Sequence, residues 1–424
     1  MIRRATTALR ATAASALTAR GIAAEPGGAD LAAAWAAWRG ADFIAAARLA
    51  QALVPERGDA ARHLLVLACH VLGDHRGAVA ARAEMSERAA RLGELDEPVL
   101  WSYAFAGDPA GLAFAEARGL LRDAYGRAEI EVFLRRPMRV HHAGAITLPF
   151  SDDRLSPAMP GFAVRINGRQ ALARLDTGGA WLVMTHAQAA AFGVDQIASR
   201  GGAFFALSTG RVGLGLAEME IGGTRLRDVP VQIVDSLPGT EQFGTLFGVE
   251  LGPIVGTNIL AAFLTTVDGP GRQLLLTPPQ DAPAVARHRA RLGGEGVPFG
   301  VLGDHLTIAR ARLGAAGERP VFLDSGLVAF DGQGRQAALL MSRRMAHRLA
   351  VAPPKGAAFP ILSGAAGLAA ATDHGLPVHI VANRTWRGFG RWGGIEVAAL
   401  LSWGYLGRRA WSLDYAARRM WLYR

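Results

Sequence analysis

The order of apolar and polar residues divides the chain into a helical part and a β-rich part. From about residue 29 to residue 127, apolar residues recur at helical spacing, as in LAAAWAAWRGADFIAAARLAQALV. A turn signal repeats through this segment with its glycines 33 and 34 residues apart: Gly40-Ala41-Asp42, Gly73-Asp74 and Gly107-Asp108. Because an apolar helix precedes each signal and an Ala-rich one follows, the pattern predicts three helical hairpins.

The period of these hairpins resembles that of tetratricopeptide-type repeats. The resemblance implies a small solenoid whose concave surface can bind a protein partner or dock onto the rest of the chain. A helical cap that only supports the neighbouring domain explains the same pattern. The sequence leaves the two interpretations open.

From about Ile130 onward, short alternating and β-branched segments replace the helical pattern, beginning with IEVFL at 130–134. We expect these segments to form strands. Two dipeptides, Asn167-Gly168 and Gly222-Gly223, favour tight hairpins because both central positions of such turns need a positive φ. An Arg-rich stretch with Pro and Gly, 278–298, predicts a linker between two β-rich halves.

Length and composition fit a multidomain globular protein. The chain has 424 residues, half of them hydrophobic and 19% charged, which allows two or three domains with cores of their own. The predicted fold is a set of N-terminal α-helical hairpin repeats followed by a mostly β, bilobal unit. The expected boundaries are a poorly structured N-terminus at 1–28, a helical domain at 29–127, and two lobes at 138–280 and 296–424.

The net charge of +10 does not indicate a nucleic-acid partner. The basic residues are nearly all Arg, are scattered along the chain, and lie in no nucleic-acid recognition motif. The acid-free start of the chain carries four Arg residues, which fits an export signal or an organellar presequence only loosely, and a frayed or partly helical terminus is the favoured interpretation. No stretch approaches the 18 or more apolar residues of a membrane-spanning helix. The compartment, cytoplasmic or periplasmic, stays open.

Cofactor and metal chemistry find no support in the sequence. Cys69 is the single cysteine, so neither an internal disulfide nor a cysteine-based metal site is possible. The histidines lack the spacing that places two ligands on one helix face. We therefore expect no cofactor and no metal.

Two short motifs carry the candidate chemistry. ALARLDTGGAWLVM contains Asp176-Thr177-Gly178, and RPVFLDSGLVAF contains Asp324-Ser325-Gly326. Each Asp follows the end of an apolar strand. One such motif is weak, since Asp, Thr and Gly form ordinary turns.

The sequence around the two motifs repeats in register. LVMTHAQAAAFGV follows the first Asp and LLMSRRMAHRLAV the second, with predicted helix caps at Thr185 and Ser342. Farther on, PIVGTNILAAFLTTVDGPGRQLLL matches ALLSWGYLGRRAWSLDYAARRMWLY. These segments align three pairs of positions: Leu260 with Leu406, Asp268 with Asp414, and Arg272 with Arg418. The repeat indicates two related halves that each present one carboxylate.

From Ala145 to Arg424 the layout resembles retropepsin-like and pepsin-like aspartic peptidases. The resemblance implies that Asp176 and Asp324 share one proton and activate a water that attacks a peptide carbonyl. It also implies supporting roles for the residues beside them: Thr177, Gly178, Ser325 and Gly326. The expected substrate is a peptide or protein.

The same family covers its substrate with a hairpin flap. The candidate here is GGAFFALSTGRVGLG at 201–215, in which Phe204 and Phe205 are predicted to contact substrate and Gly210 to give mobility. An ordinary hydrophobic hairpin fits this segment as well.

The second half departs from the family pattern in two places. Ser402 stands where a Gly is usual, and extra residues around FDGQGRQAA follow Asp324. These departures leave two alternatives open: a homodimer that pairs Asp176 of two chains, and a degenerate fold that binds peptides without cleaving them. We expect a monomer with an intrachain pair, because both halves keep Asp, Thr or Ser, and Gly.

Overall fold

The computed structural model describes most of the chain after the N-terminus. The described residues are 29–90, 95–121, 123–204, 208–237, 240–286, 296–351, 356, 358–369, 371–386 and 391–423. The predicted poorly structured N-terminus at 1–28 and residues 287–295 of the predicted linker lie outside them. A helical N-terminal region is followed by a β-rich remainder, as the sequence predicts.

Helices occupy the first third of the described chain. They are α1 Ala29–Arg39, α2 Phe43–Arg57, α3 Asp59–Leu72, α4 His75–Ala83, α5 Glu87–Ala90, α6 Asp96–Ala106, α7 Ala110–Ala117 and α8 Ala124–Arg135. The repeated Gly-Asp signals mark helix ends. Gly73 and Gly107 end α3 and α6 in the left-handed conformation, while Asp42 and Asp74 accept backbone N–H groups at the starts of α2 and α4.

The expectation of a strand at 130–134 was wrong, because this segment lies in α8. Asp123 begins the helix by accepting the N–H of Gly126 at 2.7 Å. Tyr125, Val132 and Phe133 are then buried on the side of the helix that faces the rest of the molecule. The cap and this buried face outweigh the strand preference of isolated β-branched and aromatic residues.

The remainder is built of short strands. They are β1 Arg139–His141, β2 Ile146–Pro149, β3 Gly161–Ile166, β4 Arg169–Leu175, β5 Leu182–Thr185, β6 Gln196–Phe204, β7 Ser208–Ile221, β8 Thr224–Val234, β9 Ile254–Val255, β10 Leu264–Asp268, β11 Gln273–Thr277, β12 Val297–Leu302, β13 Leu306–Leu313, β14 Glu318–Leu323, β15 Leu339–Ser342, β16 Ile361–Leu362, β17 Ala366–Leu368, β18 Ala371–Asp373, β19 Leu376–Val381, β20 Arg391–Trp392, β21 Ile395–Glu396, β22 Ala399–Leu401, β23 Ala410–Asp414 and β24 Arg419–Leu422. Short helices separate some of them: α9 His186–Phe192, α10 Thr240–Phe247, α11 Thr257–Leu260, α12 Arg343–Arg348, α13 Asn383–Trp386 and α14 Trp403–Leu406.

The predicted hairpins and caps are confirmed. Asn167-Gly168 joins β3 to β4 and Gly222-Gly223 joins β7 to β8, and all four residues have positive φ. Thr185 and Ser342 cap α9 and α12 by accepting backbone N–H groups.

The same strand pattern occurs twice. In the first copy, β4 pairs in parallel with β9, β9 pairs antiparallel with β5, and β5 pairs in parallel with β8. In the second, β14 pairs in parallel with β22, β22 pairs antiparallel with β15, and β15 pairs in parallel with β19. The residue after β4 is Asp176 and the residue after β14 is Asp324, so the repeat places both motifs at equivalent strand ends.

An antiparallel layer joins the two copies. Its order is β2, β11, β10, β23, β24, β12, with β10 and β23 adjacent. Thr266 and Ser412 lie opposite each other at the centre of that pair, and their buried hydroxyls are 2.7 Å apart. This pairing relates the two halves by an approximate two-fold axis.

The helices pack against the β-rich part. Side chains of α1 to α4 share a core with strand residues of the second copy, including Leu302, Phe322 and Leu400. The indole N–H of Trp38 donates to the carbonyl oxygen of Gly393 at 2.5 Å. The helical region is therefore attached through a hydrophobic face and not only through the chain.

Candidate active site

Matching strands hold the two motif Asp residues. The backbone N–H of Asp176 donates to the carbonyl of Val255 at 3.1 Å, and that of Asp324 donates to the carbonyl of Leu401 at 2.9 Å. Each Asp thus begins its turn where the parallel strand pairing ends. The two carboxyl groups approach each other between the halves, since a Cβ on Gly178 would meet Asp324 and a Cβ on Gly326 would meet Asp176.

The Thr177 and Ser325 hydroxyls brace the opposite turns. The Thr177 N–H donates to Ser325 Oγ and the Ser325 N–H donates to Thr177 Oγ1, both at 2.9 Å. Thr177 Oγ1 also donates to the carbonyl of Leu323 at 2.9 Å. Both side chains are buried, so these bonds are shielded from water and fix one turn against the other.

The two motif glycines leave the space that the carboxyl groups fill. A Cβ added to Gly178 would lie 2.6 Å from Cγ of Asp324, and one added to Gly326 would lie 2.2 Å from Cγ of Asp176. Their N–H groups also contribute, since Gly178 donates to Asp176 Oδ1 at 2.7 Å and Gly326 donates to the same oxygen at 3.2 Å. Glycine is required here for close approach.

The electrostatics of the pair favour one retained proton. Burial, followed by the adjacent charge of Asp176, raises the pKa of Asp324 well above its ordinary value. Burial also raises the pKa of Asp176, but the two glycine N–H groups and the bond from Asp324 oppose that rise. The rise is larger for Asp324 than for Asp176, and the two carboxyl groups titrate as one unit.

Two further groups near the pair carry no signal in the sequence. His305 lies near enough to Asp176 for the electrostatic interaction between them to lower the pKa of that carboxyl. Its Nδ1 is 2.5 Å from Oδ1 of Asp304. Both residues belong to the turn between β12 and β13, and the first half has no matching motif that would have revealed them.

Thr257 stabilises the first turn through a hydrogen bond to its backbone. Its buried hydroxyl donates to the carbonyl oxygen of Thr177 at 2.7 Å. The residue follows Gly256 in the hydrophobic-hydrophobic-Gly segment, so the motif identified the position but not this contact.

A buried ion pair supports the strand that leads to Asp176. Arg174 is 1% exposed and binds both carboxylate oxygens of Asp153 at 2.9 and 3.0 Å. Burial by itself would raise the pKa of Asp153, but the hydrogen bonds from Arg174 and Ser151 lower it to about 2. The loop that carries Asp153 reaches the second half, where Trp403 donates to the carbonyl of Pro157 at 2.9 Å.

The two departures in the second half belong together. A Cβ on Gly256 would lie 2.5 Å from the carbonyl carbon of Ala180, which explains the usual Gly. In the second half, Ser402 contacts Ala337, which lies in the longer segment after Asp324. The Ser402 hydroxyl donates to the carbonyl of Ala337 and accepts the N–H of Gly404 at 3.1 Å. Ser402 therefore caps α14 without displacing the Asp324 turn.

The predicted flap segment forms the β6–β7 hairpin, which is described up to its tip. Phe205 lies outside the described residues, and of Phe204 only the backbone is described, paired with Ser208. Gly210 pairs with Gly202, and a Cβ on it would lie 2.3 Å from a carboxylate oxygen of Asp235. Its small size therefore serves packing, and its predicted mobility stays a prediction.

The helical region contacts this hairpin. The Arg200 guanidinium of β6 lies 4.3 Å from the centre of the Tyr125 ring in α8. Burial raises the pKa of the neighbouring Glu129 to about 7, and Arg200 opposes that rise. The hairpin is thereby fixed to a helix at its base.

In the part of the chain that the structure describes, no group of three or more His, Cys, Asp or Glu side chains is arranged to hold a metal ion. Within those same residues, no helix has both the length and the apolar character needed to cross a membrane.

Comparisons with known proteins add little. No protein-family model matches the chain, and no curated protein matches it. Among solved structures, the chain is similar to a retropepsin-like aspartic protease from Rickettsia conorii. The similarity has 14% sequence identity, covers 33% of this chain and 93% of that protein, and gives a TM-score of 0.24. So slight a similarity does not define the function.

Proposed function

We propose that the chain is an aspartic endopeptidase with Asp176 and Asp324 as its catalytic pair. The two lobes span 138–280 and 296–424, and the helical domain spans 29–127. The observation that carries the proposal is the mutual bracing of the two turns, which holds two buried carboxyl groups side by side where burial raises the pKa of both. Ordinary structural turns do not require two carboxyl groups to share a buried proton.

The pair supplies both an acid and a base. Asp176, as the carboxylate, takes a proton from a water that attacks the scissile carbonyl carbon. Asp324, as the acid, hydrogen-bonds the carbonyl oxygen as negative charge develops on it. Thr177, Ser325, Gly178 and Gly326 keep the two carboxyl groups in register. The mechanism needs neither a covalent intermediate nor a metal.

The intrachain pair also bears on the homodimer alternative. Asp324 occupies the place beside Asp176 that a second copy of Asp176 would need. The bracing residue Ser325 is likewise supplied by the same chain. We therefore propose a monomeric active site. The β6–β7 hairpin, with Phe204 and Phe205, is the proposed cover of the substrate.

Cleavage of a diverse peptide mixture between pH 3 and pH 7 tests the proposal. Asp176→Asn and Asp324→Asn should each lower the cleavage rate at least about 10³-fold, because either change removes the acid-base pair. Asp152→Asn is the matched control, since the Asp152 side chain is 99% exposed. It should cleave like the parent protein.

Other outcomes identify the alternatives. Loss of cleavage in Asp176→Asn alone supports a homodimer. No cleavage by the parent at any pH, together with measurable peptide binding, supports the degenerate peptide-binding protein and contradicts the proposed activity.

A further inference from the structure

A cavity of about 230 Å³ lies where the helical region meets both halves of the β-rich part. His70 and His75 line it from the helices, Asn258 from the first half, and Tyr415 and Arg418 from the second. At roughly 30 Å³ for each water molecule, the volume suits about seven waters or one small polar ligand. It lies outside the Asp176–Asp324 pair, although Thr257 contributes to both places.

Arg418 brings an unpaired cation to this cavity. Its Nε is buried without a hydrogen-bond partner, and its guanidinium makes no ion pair among the described residues. The guanidinium packs against Gly73 of the helical region, where a Cβ would lie 2.5 Å from one of its terminal nitrogens. Burial lowers the pKa of Arg418 to about 10, so the side chain stays charged at neutral pH.

The neighbours of Arg418 add hydrogen-bond donors to the cavity. The Asn258 side-chain nitrogen and His75 Nδ1 are both buried without partners. Burial, together with the nearby Arg418, lowers the pKa of His70 to about 4 and of His75 to about 3, so both imidazoles are neutral. Asp304 also lines the cavity, but its Oδ1 is engaged by His305.

The equivalent arginine in the first half, Arg272, has the hydrogen-bond and ion-pair partners that Arg418 lacks among the described residues. Arg272 has the same φ of 51° and the same place four residues beyond the closing-strand Asp. Its guanidinium donates to the carbonyl of Ser151 and to a carboxylate oxygen of Asp152 at 2.8 and 3.0 Å. One copy of the repeat is therefore paired on the surface, while the other is half-buried with its Nε enclosed and without a hydrogen-bond partner.

Buried polar groups in folded proteins have partners, and an unpaired buried cation is costly unless something compensates its charge. We infer that the cavity binds a small oxyanion, a phosphate or a short carboxylate, held by the Arg418 guanidinium with Asn258 and His75 as further donors. A guanidinium recognises both chemistries through paired N–H groups. The bound anion bridges the helical region and the two lobes. This inference is independent of peptide cleavage.

Calorimetric titration and thermal denaturation of the full chain test this site, with inorganic phosphate and succinate as probes at constant ionic strength set by chloride. The parent protein should bind at least one probe, and that probe should raise its melting temperature as expected for a ligand of the native state. Arg418→Gln should weaken binding at least tenfold and remove the shift. Arg272→Gln, the same change at the equivalent position, should keep both.

A second variant keeps the test decisive if Arg418→Gln does not fold. Asn258→Asp adds a negative charge to the wall beside an intact Arg418 and should also weaken binding at least tenfold. Equal affinity in the parent protein and in either cavity variant would overturn the inference. So would the absence of binding by both probes. If phosphate alone or succinate alone binds, that result identifies the source of the anion.

Discussion

At the scale of single residues, the site depends on atoms that are absent as much as on those present. Gly178 and Gly326 matter because they have no side chain: each leaves room for the carboxyl group of the opposite turn. The sequence identified both through the repeated motif. It could not show how little space remains, since that distance is set by residues about 150 positions away.

Gly326→Ala should therefore disable the pair without unfolding the protein. The added Cβ would lie 2.2 Å from Cγ of Asp176, so the carboxyl group or the turn must shift. A displacement on the order of 1 Å can lower a catalytic rate about 10²-fold, and we expect a loss of at least that size in kcat/KM for peptide cleavage. Circular dichroism should show an unchanged fold.

Gly244→Ala is the control for this change. Gly244 lies in α10 with no atom within 4 Å of the position its Cβ would take. The variant should cleave peptides at the parental rate. If Gly326→Ala also retained that rate, the close approach of the two turns would not matter for catalysis.

At the scale of elements, local signals were read correctly where local interactions decide. The Gly-Asp pairs of the helical region and the caps Thr185 and Ser342 involve groups within a few residues, and all lie where expected. The segment 130–134 was misread because its β-branched residues bury one face of a helix, which only the packing partners reveal. Helix length and the cap at Asp123 were the available signals.

The second half shows the same limit. Ser402 and the extra residues after Asp324 are two separate departures in the sequence. In the structure they are in contact, since the Ser402 side chain bonds to Ala337 in the longer segment. Residues that act together across 65 positions cannot be recognised from either position alone.

The brace between the turns predicts a stability effect at this scale. Thr177→Val keeps the shape of the side chain but leaves the Ser325 N–H and the Leu323 carbonyl without their partner. Buried groups left unpaired cost about 1–3 kcal/mol, so the free energy of unfolding in urea should fall by about 2 kcal/mol. Thr147→Val makes the same change on an exposed position of β2 and should alter that free energy by less than about 0.5 kcal/mol. Equal losses in the two variants would contradict the brace.

At the scale of the whole molecule, the sequence predicted the two related halves. It did not predict the cavity that these halves form with the helical region. The repeat showed that Arg272 and Arg418 are equivalent positions. It could not show that one is surface-exposed and paired while the other is half-buried against Gly73. The helical region makes the difference, and its docking face has no recognisable motif. Asp304 and His305 were missed because the first half has no motif that matches their turn.

The Asp176–Asp324 pair should also affect how the free energy of unfolding depends on pH. The pKa of Asp324 is raised well above its ordinary value by burial and by Asp176. A group whose pKa is higher in the folded than in the unfolded state stabilises the fold most at low pH. That stability is lost as pH rises from the unfolded value, about 3.9, through the folded one. The contribution of Asp324 to the stability of the parent protein should therefore fall over this interval.

Asp324→Asn removes the titrating group and with it this loss. At pH 4 the variant and the parent should have similar free energies of unfolding, and the variant should become the more stable one as pH rises toward 8. The advantage should level off at about 1.4 kcal/mol for each unit by which the folded pKa of Asp324 exceeds the unfolded one. Urea denaturation across this pH range measures it, with Asp152→Asn expected to follow the parent. A variant less stable than the parent at pH 8 would contradict this prediction. It would mean that the hydrogen bonds accepted by Asp324 stabilise the fold by more than its buried carboxyl group destabilises it.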